Sequence, residues 1–184
     1  MSALLFILAS VVASTLAAPA PACIPDNANF YWKVPCDGQT FTNRISVSSI
    51  TASQNGVPVD QQGGMDISKN LDLHALITDQ YGTVNKPLVD IGILEYSKGL
   101  SGKCEWKNVP TLGLLSNIDS CRVVQNCHLT GSPTTLDASI SIKDIAGPLY
   151  GGISTNTYYA LTLTFKDDKN PFLCVYSQDV VINK

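Results

Sequence analysis

The chain has 184 residues, of which 45% are hydrophobic and 15% charged, and its formal net charge is −3. That composition excludes a disordered chain and supplies enough length for one domain with a real core. It carries no basic stripe, so it excludes nucleic acid as a partner and gives an anionic membrane little to attract.

Residues 2–22 read "SALLFILASVVASTLAAPAPA". An apolar run from Leu4 to Val12 followed by small residues predicts a secretory signal peptide on 1–22. It is too short to span a membrane. Cleavage is expected somewhere from residue 17 to 22, which leaves 23–184 as one soluble domain.

The rest of the chain alternates strand patterns with turn clusters. "RISVSSI" sets Ile45 and Val47 against Ser46 and Ser48. "LDLHALIT" places Leu71, Leu73, Ala75 and Ile77 on one face, and "VDIGIL" does the same with Val89, Ile91 and Ile93. "LDASISIK" sets Leu136, Ala138, Ile140 and Ile142 against Asp137, Ser139, Ser141 and Lys143. "YYALTLTFK" sets Tyr159, Leu161, Leu163 and Phe165 against Ala160, Thr162 and Thr164, and "FLCVYSQDVVI" closes the chain. A period of two marks half-buried strands. "SQNG", "DQYG", "SKGLSGK", "GSP" and "KDDKNP" supply the turns. Six or seven such strands in one domain predict an all-β antiparallel sandwich.

One stretch does not fit this alternation. "NVPTLGLLSNIDSCRVVQNC" has the breakers of a loop yet carries Val109, Leu112, Leu114, Leu115 and Ile118, then closes on two cysteines. Loops run through water because their backbone groups need partners, so a greasy loop needs a reason.

No catalytic constellation is evident. His74 falls on a strand face opposite Leu71 and Leu73, which suggests an exposed or structurally satisfied residue, and His128 falls in a turn. No Gly-X-Ser-X-Gly elbow is present. "GLSGKC" lacks the first glycine and the Ser/Thr of a phosphate-binding loop. Asp167 and Asp168 fit a hairpin turn better than an acidic pair. An enzyme is therefore not expected, and no cofactor is implied. The spacing of Cys121, Cys127 and His128 does not match common zinc sites, so no metal is expected. No Asn-X-Ser/Thr sequon occurs, so no N-linked glycan is expected. The six cysteines, Cys23, Cys36, Cys104, Cys121, Cys127 and Cys174, form an even set behind a signal peptide. That predicts three disulfides, with fifteen pairings open on arithmetic alone.

Three segments together resemble the ML lipid-recognition domain family, which includes the soluble Niemann-Pick type C sterol carrier, the ganglioside activator and the group 2 mite allergens. "FYWKVPC" resembles the family's opening strand and first framework cysteine. "IDSCRVVQNCHL" resembles its central paired-cysteine element, with His128 where proline is usual. "LTFKDDKNPFLCVYSQDVVI" resembles its closing hairpin. The likeness spans roughly Phe30 to Ile182.

The resemblance implies an immunoglobulin-like sandwich with an apolar cavity between its sheets. It implies pairing of Cys36 with Cys174 and of Cys121 with Cys127, which leaves Cys23 and Cys104 for each other. It also implies a secreted, non-enzymatic lipid-binding or transfer protein, with a lysosomal or endosomal lumen as the alternative location. The ligand class is a lipid: sterol, fatty acid, phospholipid or glycolipid. A receptor or membrane acceptor would be the further partner of an expected monomer. Leu112, Leu114 and Leu115 would line or cover the mouth of the cavity, with Leu149, Tyr150 and Ile153 as the opposing lip. Ile91, Ile93, Leu161 and Leu163 would line its walls. The alternative is a secreted interaction module with a filled core, in which the loop leucines cap an ordinary sandwich.

Overall fold

The computed structural model describes residues 23–26, 31–59, 65–66, 69–79, 83–122, 124–125, 127, 134–145, 147, 153–154 and 156–183. Residues 1–22, His128, Leu149 and Tyr150 lie outside the described residues. The strands are β1 (Tyr31–Lys33), β2 (Ile45–Gln54), β3 (Val57–Pro58), β4 (Met65–Asp66), β5 (Asn70–Asp79), β6 (Pro87–Lys98), β7 (Cys104–Asn108), β8 (Ile118–Asp119), β9 (Val124–Gln125), β10 (Thr134–Ser141), β11 (Tyr158–Asp167) and β12 (Asn170–Asn183). One sheet runs β1-β12-β11-β6-β7, with β4 also on β12 and β8 also on β6; the other runs β3-β2-β5-β10-β9. Among the described residues every ladder is antiparallel except the short pairing of β4 with the end of β12. The protein is an all-β sandwich of two mainly antiparallel sheets, stapled by three disulfides.

The period-two faces decide what is inside. On β5, Leu71 and Ile77 are buried while Asp72, His74 and Leu76 are exposed. Leu136 lies opposite Ala75 and Ala138 opposite Leu73, so β10 continues the same apolar face. On the facing sheet, Ile91 pairs with Leu163 and Ile93 with Leu161, which builds the other wall. The turns follow local chemistry: Asn55 and Gly56 both take positive φ (52° and 75°), the pattern of a type I′ hairpin turn.

Two departures from simple alternation have local causes. On β2, a register shift between Val47 and Ser49 leaves Ser48 as an extra residue. This β-bulge moves Ile50 to the core side, where unbroken alternation would put Ser49. The strand expected to run through Lys143 ends at Ser141, and Ile142–Ile145 form one helical turn. The Asp144 N–H donates to Ser141 Oγ at 3.2 Å, so the serine caps that turn and stops the strand.

The interior falls into two clusters. One centres on Ala52, Val59, Leu71, Ile93, Leu115, Ile153 and Tyr159, the other on Ile45, Ile77, Val84, Phe172, Leu173 and Val175. A third cluster lies on the outer face of the first sheet. There Cys36, Cys174, Ala160 and Tyr176 are buried against Phe41, Leu94 and Trp106.

Cys36 pairs with Cys174 and Cys121 with Cys127, as the resemblance implies, and Cys23 pairs with Cys104, the two cysteines left over. No cysteine is free. Three disulfides are consistent with an oxidising, extracellular setting.

The chain passes from sheet to sheet on both sides of the sandwich: from β3 to β4 on β12 and back to β5, and from β8 to β9. β8 pairs with β6, a short 3-10 turn at Ser120–Arg122 follows, and β9 pairs with β10. The Cys121–Cys127 bridge fastens that crossing. On the opposite edge, β1 ends one sheet and β3 the other.

Candidate functional site

Between the sheets lies a cavity of about 120 Å³. Its walls include Leu71, Leu73, Ala75, Leu136, Ala138 and Ile140 from one sheet and Ile91, Ile93, Leu161, Leu163, Phe165 and Val175 from the other. Four candidate wall residues, Ile91, Ile93, Leu161 and Leu163, are therefore brought together here. Among the described residues no charged side chain lines the space. The polar residues on its wall are Trp32 and Ser177. A smaller void of about 20 Å³ shares Val124, Leu136, Phe165 and Leu173 with it and reaches Ser120 and Cys127 beside the stapled crossing.

The size bounds what fits. An apolar cavity of about 150 Å³ takes a benzene-sized guest. The space as it stands suits a short hydrocarbon segment, and a whole lipid requires the sheets to part. An empty void of this size costs about 3 kcal/mol at about 24 cal/mol per Å³. A guest that fills it offsets that cost.

The greasy loop divides into an anchored half and an exposed half. The Val109 N–H donates to the Ile93 carbonyl and the Ile91 N–H to the Leu115 carbonyl, both at 2.8 Å, so the loop lies along β6 beyond β7. Leu115 is 1% exposed and lines the cavity. Its position is fixed by the next turn. The Asn117 N–H donates to Asp90 Oδ1 at 2.7 Å, and Lys166 Nζ reaches both Asp90 and the Asn117 side chain at 2.7 and 2.8 Å.

Of the three leucines expected to line or cover the mouth, Leu115 is a cavity-wall residue and Leu112 and Leu114 are not. Leu112 is 86% exposed and Leu114 48% exposed. The cause is a tight turn: the Leu114 N–H donates to the Thr111 carbonyl at 2.9 Å, with Leu112 and Gly113 at φ 51° and 78°. That turn pattern favours Asn-Gly, and Leu112 occupies the asparagine position.

Ile153, expected in the opposing lip, is buried in the core cluster with Leu115 and is not a cavity-wall residue. The next residue is held by Tyr159, whose hydroxyl accepts the Ser154 N–H at 2.9 Å. Burial pushes the Tyr159 phenol above its ordinary pKa, and the Ser154 hydrogen bond opposes the shift.

The outer face of the second sheet is polar. Thr51, His74, Asp137 and Gln125 form one row across four strands. His74 Nδ1 lies 2.6 Å from Asp137 Oδ1, with both side chains about half exposed. The Thr51 hydroxyl leans on the His74 carbonyl at 3.5 Å. The face is shallow and open to water. At the far hairpin, Asp167 accepts the Asn85 and Lys86 N–H groups, and Asp168 pairs with Lys86, so both aspartates tie down a turn.

Trp32 and Ser177 are cavity-wall residues that were not among the candidates from the sequence. Ser177 was legible: it follows Leu173 and Val175 at the period of two, a polar residue on an inward face. Trp32 carried no comparable signal, because a three-residue strand has too short a period to assign a face.

No protein-family model and no curated protein matches the chain. A solved structure, the C-terminal domain of wzt, is similar at a TM-score of 0.39 and 14% identity, over 89% of this chain and 82% of that one. A likeness that remote carries no argument about function. The sandwich assignment stands on the strand pairing above.

Proposed function

We propose that the protein is a secreted, non-enzymatic lipid carrier of the ML lipid-recognition type, holding the apolar part of one lipid between its sheets. The observation that carries this reading is the cavity, walled by apolar side chains from both sheets and free of charged lining among the described residues. Each methylene moved from water into such a space contributes about 0.8 kcal/mol. Ten give about 8 kcal/mol, near micromolar affinity before ordering costs. Binding of this kind needs no catalytic group. The exposed Leu112 and Leu114 share a loop with Leu115, which reaches the cavity.

The test is extraction of the purified protein with organic solvent, followed by mass spectrometry and by titration of the delipidated protein with fluorescent sterol, fatty acid, phospholipid and glycolipid. Lipid at near one per protein, or saturable uptake of one class, supports the carrier. No lipid and no saturable uptake of any class would leave the interaction module as the better account.

A further inference from the structure

We propose that the bound lipid's polar end is uncharged, and that Trp32 and Ser177 hold it where the cavity meets the β1 edge of the sandwich. This rests on the carrier reading and adds to it a head-group chemistry and a direction of binding. Trp32 and Ser177 are direct cross-strand partners on β1 and β12 and supply the polar side chains of the cavity wall. A serine hydroxyl both donates and accepts, and an indole N–H donates only. Together they match an alcohol, which needs a donor and an acceptor, or a carbonyl oxygen, which accepts from both.

A carboxylate finds no such match. Among the described residues no cation lines the space, and taking an ionised group out of water without a partner is strongly unfavourable. The position fits a doorway as well. β1 ends the strand path of its sheet, and the disulfide-stapled crossing from β8 to β9 lies at the opposite edge. An amphiphile placed this way leaves its tail among Ile91, Leu163 and Leu136 and its head at the parting edge.

Displacement of a fluorescent probe from the delipidated full-length mature protein tests the head group, with an n-alkane, a 1-alkanol and a carboxylate of one chain length as competitors. The alkanol is expected to bind more tightly than the carboxylate. Ser177→Ala and Trp32→Phe are each expected to weaken the alkanol about fivefold, the worth of one neutral hydrogen bond, and to leave the alkane unchanged. The chain has two tryptophans, so Trp106→Phe leaves Trp32 as the single fluorescent reporter. An alcohol brominated beside its hydroxyl should then quench Trp32 more than one brominated at the tail end. Tighter carboxylate binding, equal losses for alkane and alkanol, or stronger quenching from the tail end would each overturn the proposal. If no competitor displaces the probe, the carrier reading itself fails and takes this one with it.

Discussion

Filling the cavity from one wall separates a binding space from a packed core. Ala75 is on β5, lines the cavity and stands opposite Ile50 and Leu136 in register. Ala75→Leu adds three carbons at that point. If the space is there, burying them contributes about 2.4 kcal/mol at about 0.8 kcal/mol each. That does not exceed the about 3 kcal/mol that the void costs. The delipidated variant should gain about 2 kcal/mol in urea unfolding and about 4–8 °C in Tm. Lipid should lose about as much as the protein gains, roughly a thirtyfold rise in Kd. Ala52→Leu is the control, since Ala52 is buried in the core but is not a cavity-wall residue. Overpacking there should cost about 1–3 kcal/mol. A loss of that size at Ala75 with unchanged lipid affinity would mean that no usable space exists between the sheets.

Four further outcomes are expected. Leu115→Asp should lower stability by several kcal/mol because it buries an unpaired charge, while Leu114→Asp should change the Tm little; equal losses would contradict the inward and outward placement of the two leucines. Leu112→Asn should raise stability by about 1 kcal/mol, because asparagine tolerates the left-handed backbone that leucine resists, and denaturant melts that show no gain would argue against that turn. Removing Cys36–Cys174, with a separation of 138 residues, should cost about 5 kcal/mol in the chain-entropy model, against about 2 for Cys121–Cys127, with a separation of 6; the reverse order in unfolding measurements would rule that account out. Tyr159 holds its proton more tightly when folded than the unfolded phenol does at about 10, so its contribution should be complete below that pH and fade as pH rises past it. Tyr159→Phe should flatten that alkaline loss, and an unchanged profile would point to other groups.

The six long strands were legible because burial on one face forces alternation, and alternation survives without any knowledge of partners. The wall residues Ile91, Ile93, Leu161 and Leu163 were legible for the same reason. The bulge at Ser48 was not, because an extra serine in "SVSSI" resembles any other polar residue until its cross-strand partner is known. Ala160 was assigned to a polar face with Thr162 and Thr164, yet it is fully buried. Its cover is the Cys36–Cys174 bridge and Tyr176, which only the folded chain brings there. A strand has a period that assigns sides, whereas a loop has none, so Leu112 and Leu115 looked alike although one is solvated and the other is buried.

The strands that end the two sheets carry a consequence for behaviour at high concentration. β1, β3, β7 and β9 have 3, 2, 5 and 2 residues, whereas β5, β10, β11 and β12 have 10, 8, 10 and 14. A long bare edge templates pairing with another chain, and short edges are a common defence against it. If the sheets part to admit a guest, as the proposed carrier requires, the defence matters more here than in a solid sandwich, because parting sheets present their rims more often. Residues 109–117 lie along β6 beyond β7, and Pro58 removes an amide donor from β3. The fold can therefore keep its interior loosely filled without inviting cross-β aggregation.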